Sequence, residues 1–123
     1  MRHKMKILII DDNQDITEML CKFFTTKGHE CMLSNDGRNG LAMIENKKFD
    51  VVLLDLAIPD FSGKKIIDSL HKSGIIKNQK VVLFSATPTS QKEIDDMIEK
   101  GAHSHIKKPI DPDVLVDYLS TIQ

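Results

Sequence analysis

At 123 residues the chain is long enough for one domain with its own core, and its balance of 41% hydrophobic to 28% charged residues is that of a globular protein. Its 17 basic side chains against 18 acidic ones leave a net charge of −1, which argues against non-specific nucleic-acid binding through a broad basic face. No apolar run exceeds four residues, so the sequence offers no membrane-spanning segment.

The amino terminus begins with the basic Met1-Arg2-His3-Lys4, but the apolar stretch behind it stops at Asp11-Asp12, too soon for a signal peptide. A cytoplasmic location is the expectation. Residues 6–10 form the first apolar run and read as a strand. A helical stripe follows at Ile16, Met19, Leu20, Phe23 and Phe24, and Gly28 is placed to end it. Cys21 and Cys31 match no metal or redox motif, so the expectation is two reduced thiols packed as small hydrophobes. Residues 30–34 are more polar and suit an edge strand. After the turn at Asn35-Asp36-Gly37, Leu41 and Ile44 mark a short second helix.

Residues 51–54 are a second unbroken apolar run, closed by Asp55. Ile66, Ile67 and Leu70 mark a third helix. Residues 81–84 are the next run, ending at Ser85. Ser90 and Glu93 form a capping box before Ile94, Met97 and Ile98. A weaker strand is expected at 102–106, leading to Lys108-Pro109. Asp111-Pro112 then starts a last helix with its stripe at Val114, Leu115, Tyr118, Leu119 and Ile122. Runs without polar alternation indicate strands buried on both faces, as in a parallel sheet. Five strands alternating with five helices predict one doubly wound α/β domain over residues 1–123, with no effector domain in the chain. His3, His29 and His71 are scattered and read as surface residues. His103 and His105 lie two apart on the fifth strand, with no third ligand near enough in sequence to suggest zinc.

In a parallel sheet the ligand site lies beyond the carboxyl ends of the strands. Those ends carry Asp11-Asp12, Asp55, Ser85 and Lys108. Crowded carboxylates call for a cation, and hard oxygen ligands suit Mg2+. A carboxylate is also a nucleophile toward phosphorus, giving an acyl phosphate. Phosphoryl transfer then needs ammonium and hydroxyl groups to take up the charge of the transferred oxygens.

The motifs Ile9-Ile10-Asp11-Asp12, Leu53-Leu54-Asp55, Ile58-Pro59-Asp60-Phe61-Ser62-Gly63, Phe84-Ser85-Ala86 and Lys108-Pro109 occur in this order, each at a predicted strand end. Together they resemble the response-regulator receiver family of two-component signalling, along the whole chain. The resemblance implies a five-stranded parallel sheet in the order 2-1-3-4-5 with helices on both faces, an order long known in a chemotaxis member. It implies that Asp55 is the phosphoacceptor. Asp11, Asp12, Asp55 and the Ala57 carbonyl would hold Mg2+, or Mn2+ in its place. Lys108 and the Ser85 hydroxyl would contact the phosphoryl oxygens, and Pro109 would follow a cis bond.

The implied partners are a sensor histidine kinase or a histidine phosphotransfer protein, and a downstream protein at the helix 4, strand 5 and helix 5 face. No direct contact with nucleic acid or membrane is implied. Ala57 and Thr87 would flank the path of attacking water. Three positions depart from the family pattern: Lys80 stands for a proline, Ser104 for an acid and His105 for the aromatic switch residue. His105 would turn inward when Ser85 meets the phosphoryl group. Three other readings use the same residues, one of them a receiver fragment of a larger multidomain regulator. A pseudo-receiver would lack an acid or the lysine, and all are present. An aspartate-nucleophile phosphatase would carry a second acid where Ala57 stands.

Overall fold

A computed structural model describes residues 4–86 and 89–123. The strands are β1 (Lys6–Ile10), β2 (Glu30–Ser34), β3 (Val51–Asp55), β4 (Val81–Ser85) and β5 (Ser104–Lys107). The helices are α1 (Gln14–Thr26), α2 (Gly37–Asn46), α3 (Gly63–Ser73), α4 (Gln91–Glu99) and α5 (Pro112–Thr121), with a short 3-10 turn at Ile75–Asn78. All pairings are parallel and the order is β2-β1-β3-β4-β5, as the resemblance implies.

The unbroken apolar runs now have a physical reason, because successive strand residues serve opposite layers. Ile7, Ile9, Val51, Leu53 and Val82 pack under α1 and α5 with Leu20, Phe24, Leu115, Val116 and Leu119. Leu8, Ile10, Val52, Leu54 and Leu83 pack under α2, α3 and α4 with Ile44, Ile66, Ile67, Leu70 and Met97. Helix starts follow the capping residues: Asn13, Asp36, Ser62, Ser90 and Asp111 each accept a backbone N–H from the first turn. Gly28 (φ 93°) and Gly101 (φ 121°) take the left-handed conformation just beyond α1 and α4.

Several expectations need correction. Met19, Ile98 and Val114 belong to apolar stripes but are 49%, 40% and 57% exposed, while Thr17 and Val116 are buried in the core. The packing phase of each helix is set by the sheet beneath it, and a threonine can enter once its hydroxyl is bonded. Thr17 Oγ1 donates to the Gln14 carbonyl at 3.0 Å. β5 starts two residues later than the apolar pattern suggested.

Cys21 and Cys31 are joined as a disulfide, with their Cα atoms 5.3 Å apart. The pairing follows from the fold, since α1 packs back against β2 and sets Cys21 over Cys31. His29 is buried rather than on the surface, because it opens β2 beneath β1, where its Nδ1 accepts the Met5 N–H at 3.0 Å. His71 is exposed, and His3 lies outside the described residues. No helix among the described residues is long and apolar enough to cross a membrane.

Candidate functional site

β1, β3 and β4 end at the same edge of the sheet, and each supplies a polar residue there. Asp11 follows β1, Asp55 ends β3 and Ser85 ends β4; all three are buried. Asp12 is exposed at the rim. Oxygen atoms of Asp11, Asp12 and Asp55 lie within 4.8 Å of one another. The backbone holds two of these carboxylates: Asp11 Oδ1 accepts the Asn13 N–H at 2.9 Å, and Asp55 Oδ1 accepts the Ala57 N–H at 3.2 Å.

Lys108 arrives from the far side. Its backbone N–H donates to the Ser85 carbonyl at 2.7 Å, which ties the end of β5 to the end of β4. Its Nζ lies 2.5 Å from Asp11 Oδ2, 3.9 Å from Asp55 Oδ2 and 4.9 Å from the centre of the Phe84 ring. The Lys108–Pro109 peptide is cis, as expected.

Burial is the first cause that pushes the Asp55 carboxyl above its ordinary value, and the charge of Asp11 is the second. The Ala57 N–H and Lys108 oppose it without cancelling it. Three carboxylates thus share one nearby ammonium, and burial makes the charge on Asp55 costly. Its donors are hard carboxylate oxygens, one of them at the rim, so a divalent cation with retained waters fits the set.

Beside the acids, Ser85 Oγ lies 2.8 Å from His105 Nε2. His105 is thus already turned toward the sheet edge, and burial lowers its pKa below 6.5. Tyr118 on α5 donates its hydroxyl proton to Ser104 Oγ at 2.7 Å. Thr87 lies outside the described residues.

The sequence reading missed the groups that hold this site from behind. Asn35 Nδ2 donates to the Asp11 carbonyl at 2.8 Å and to Thr17 Oγ1 at 2.9 Å. Asp60 Oδ1 accepts the Gly37 N–H at 3.2 Å, and that bond is the first cause lowering the Asp60 pKa. Both look like ordinary turn residues in a sequence; only the tertiary partner distinguishes them.

Comparison with known proteins gives a consistent picture. The response regulator receiver domain family matches residues 7–120. The Escherichia coli transcriptional regulatory protein PcoR is 30% identical over 117 residues, covering 95% of this chain and 50% of that protein. The Pseudomonas aeruginosa phosphate regulon regulator PhoB is 29% identical, over 94% and 50%. The CAI-1 autoinducer sensor kinase/phosphatase CqsS of Vibrio cholerae is 31% identical over 94% of this chain and 17% of that protein. The chain thus spans about half the length of PcoR and of PhoB. Among solved structures, the Vibrio cholerae chemotaxis protein CheY4 superimposes with a TM-score of 0.85 at 25% identity, over 98% of this chain and all of that one.

Proposed function

The chain belongs to the response regulator receiver domain family, and from that premise we propose that Asp55 accepts a phosphoryl group from the phosphohistidine of a sensor kinase or a histidine phosphotransfer protein. The observation that carries the proposal is the meeting of Asp11, Asp12, Asp55 and Lys108 at one sheet edge. The Asp55 carboxylate attacks phosphorus; an oxygen–phosphorus bond forms as the phosphorus–nitrogen bond breaks, and the donor imidazole, already protonated on its other ring nitrogen, takes the electron pair and leaves neutral. The Ala57 N–H fixes Asp55 Oδ1, so the carboxylate plane is set and Oδ2 faces Lys108.

Lys108 offsets the charge of the transferred oxygens. Ser85 donates its hydroxyl proton to one of them, which requires that Ser85 Oγ then accept from His105 Nε2–H. Asp11, Asp12, Asp55 and the Ala57 carbonyl are the groups that would hold Mg2+, or Mn2+. The bound ion would supply the positive charge that keeps the three carboxylates ionised beside an incoming phosphoryl group.

Output follows from the neighbouring surface. Ile98 on α4 and Val114 on α5 are exposed apolar groups on the elements flanking His105, and a downstream protein docks there when Ser85 and His105 rearrange. The same reading places the chain in the cytoplasm, as a switch that catalyses only its own phosphorylation and dephosphorylation.

The test is labelling with acetyl phosphate and Mg2+. Wild-type protein gains one alkali-labile, hydroxylamine-sensitive phosphoryl group and Asp55→Asn gains none. Equal labelling of the two proteins would refute the assignment.

A further inference from the structure

The turn between β2 and α2 contains no acceptor of phosphate, yet it touches both loops that do the chemistry. On one side, Asn35 Nδ2 donates to the Asp11 carbonyl at 2.8 Å, and the Asp11 N–H donates to the Ser34 carbonyl at 3.0 Å. On the other side, the Gly37 N–H donates to Asp60 Oδ1 at 3.2 Å. Gly37 is also seated against the loop backbone, since a Cβ at that position would overlap the Phe61 carbonyl oxygen. The Phe61 ring lies 4.9 Å from the Arg38 guanidinium, a third contact between the same two segments. The far end of the loop is pinned as well: a Cβ on Gly63 would come within 2.8 Å of the Asp55 carbonyl oxygen.

Ala57 lies between Asp55, against whose carbonyl Gly63 is seated, and Asp60, which holds Gly37. The Ala57 N–H holds Asp55, and under the function proposed above its carbonyl holds the cation. We infer that the Asn35–Gly37 turn is a bracket that sets the distance between the Asp11-Asp12 loop and the Ala57 loop, with Asp60 as its positioning residue on the Ala57 side. Asp60 touches neither phosphorus nor metal; it acts through Gly37 and the loop backbone. Groups bonded to the ligands themselves typically govern metal affinity by 10–100-fold; Asp60 stands one step further off, through Gly37 and the loop backbone, so the low end of that range is its upper bound.

The inference rests on the phosphoacceptor reading, so two measurements separate them. The first is calorimetric titration of the full chain with Mg2+ alone. Asp60→Ala weakens Mg2+ binding by about three- to tenfold, the low end of what groups bonded to the ligands themselves do. Asp60→Asn keeps the Oδ1 acceptor and loses only the charge, and it binds within about twofold of wild type. Equal weakening in both variants would mean that Asp60 acts by its charge and would overturn the bracket, as would unchanged affinity in Asp60→Ala.

The second is hydrogen exchange at the Ala57 amide without metal. Asp60→Ala speeds exchange about tenfold and Asp60→Asn does not. Failure of the wild type to bind Mg2+ would sink the metal reading alone, because the exchange result still decides the bracket. Identical Ala57 exchange in all three proteins would overturn the bracket whatever the metal does.

Discussion

Replacing Asp55 by asparagine should stabilise the metal-free protein, and the structure sets the size of the effect. At an effective dielectric near 20, a charge within 4.8 Å costs at least about 3.5 kcal/mol, which is the repulsion from Asp11; the exposed Asp12, screened by water, adds about 1 kcal/mol. Lys108 at 3.9 Å returns about 4 kcal/mol by the same measure. These contributions nearly cancel, which leaves the burial of the charge as the main cost and agrees with burial as the first cause of the raised Asp55 pKa.

Asparagine removes that cost. It can still accept the Ala57 N–H, and it offers an amide to Asp11. The net gain is about 1–2 kcal/mol at pH 7, or about 4–8 °C in Tm for a domain of this size. Its pH dependence has a fixed sign. Because the folded Asp55 pKa lies above the ordinary 3.8, the stability tied to its proton is complete below 3.8 and lost as pH rises through the folded value. The advantage of Asp55→Asn therefore grows from acid toward neutral pH. Mg2+ at about ten times its Kd returns about 1.4 kcal/mol to the wild type. Urea unfolding in EDTA at pH 4.5 and pH 7 measures the difference, and an Asp55→Asn protein no more stable than wild type at pH 7 would refute the reasoning.

Two further outcomes are expected. Reducing the Cys21–Cys31 bond, or replacing Cys21 with serine, should lower stability by about 2–3 kcal/mol, the chain-entropy value for a closed loop of about ten residues; equal denaturation midpoints with and without dithiothreitol would show that the bond does not hold in solution. His105, whose burial lowers its pKa, contributes stability that is complete above 6.5 and lost as pH falls through 6.5 toward its folded value, so wild type should weaken more than His105→Tyr between pH 7 and 5.5; parallel stability profiles for the two proteins would exclude it.

The fold was legible because its strongest signals are local. Four residues of unbroken Ile, Leu or Val at 7–10 and at 51–54, rich in β-branched side chains and closed by Asp, read as strands covered on both faces, and the capping residues Ser90 and Asp111 mark where two helices begin. The phase of each helix was less legible. Val114 and Val116 are identical in chemistry, and only the sheet decides that Val116 faces it. The disulfide was illegible for a different reason: a spacing of ten residues says nothing until α1 folds back over β2. His29 failed on the same ground, since its partner is the backbone of Met5, 24 residues away.

The site divides along the same line. Asp11, Asp12, Asp55, Ser85 and Lys108 could be read from the sequence because each sits at the end of a strand, and a parallel sheet brings its strand ends together whatever the detail of packing. Asn35 and Asp60 could not, because nothing in a turn sequence says which backbone group its side chain will meet. Their bonds to the Asp11 carbonyl and the Gly37 N–H are what convert convergence into a fixed spacing. Strand ends alone place carboxylates within one region of the sheet edge; a cation that requires near-octahedral oxygens at about 2.1 Å discriminates on a much finer scale. The finer scale must come from groups that join one loop to the next, and among the described residues the β2–α2 turn bonds both the Asp11 loop and the Ala57 loop.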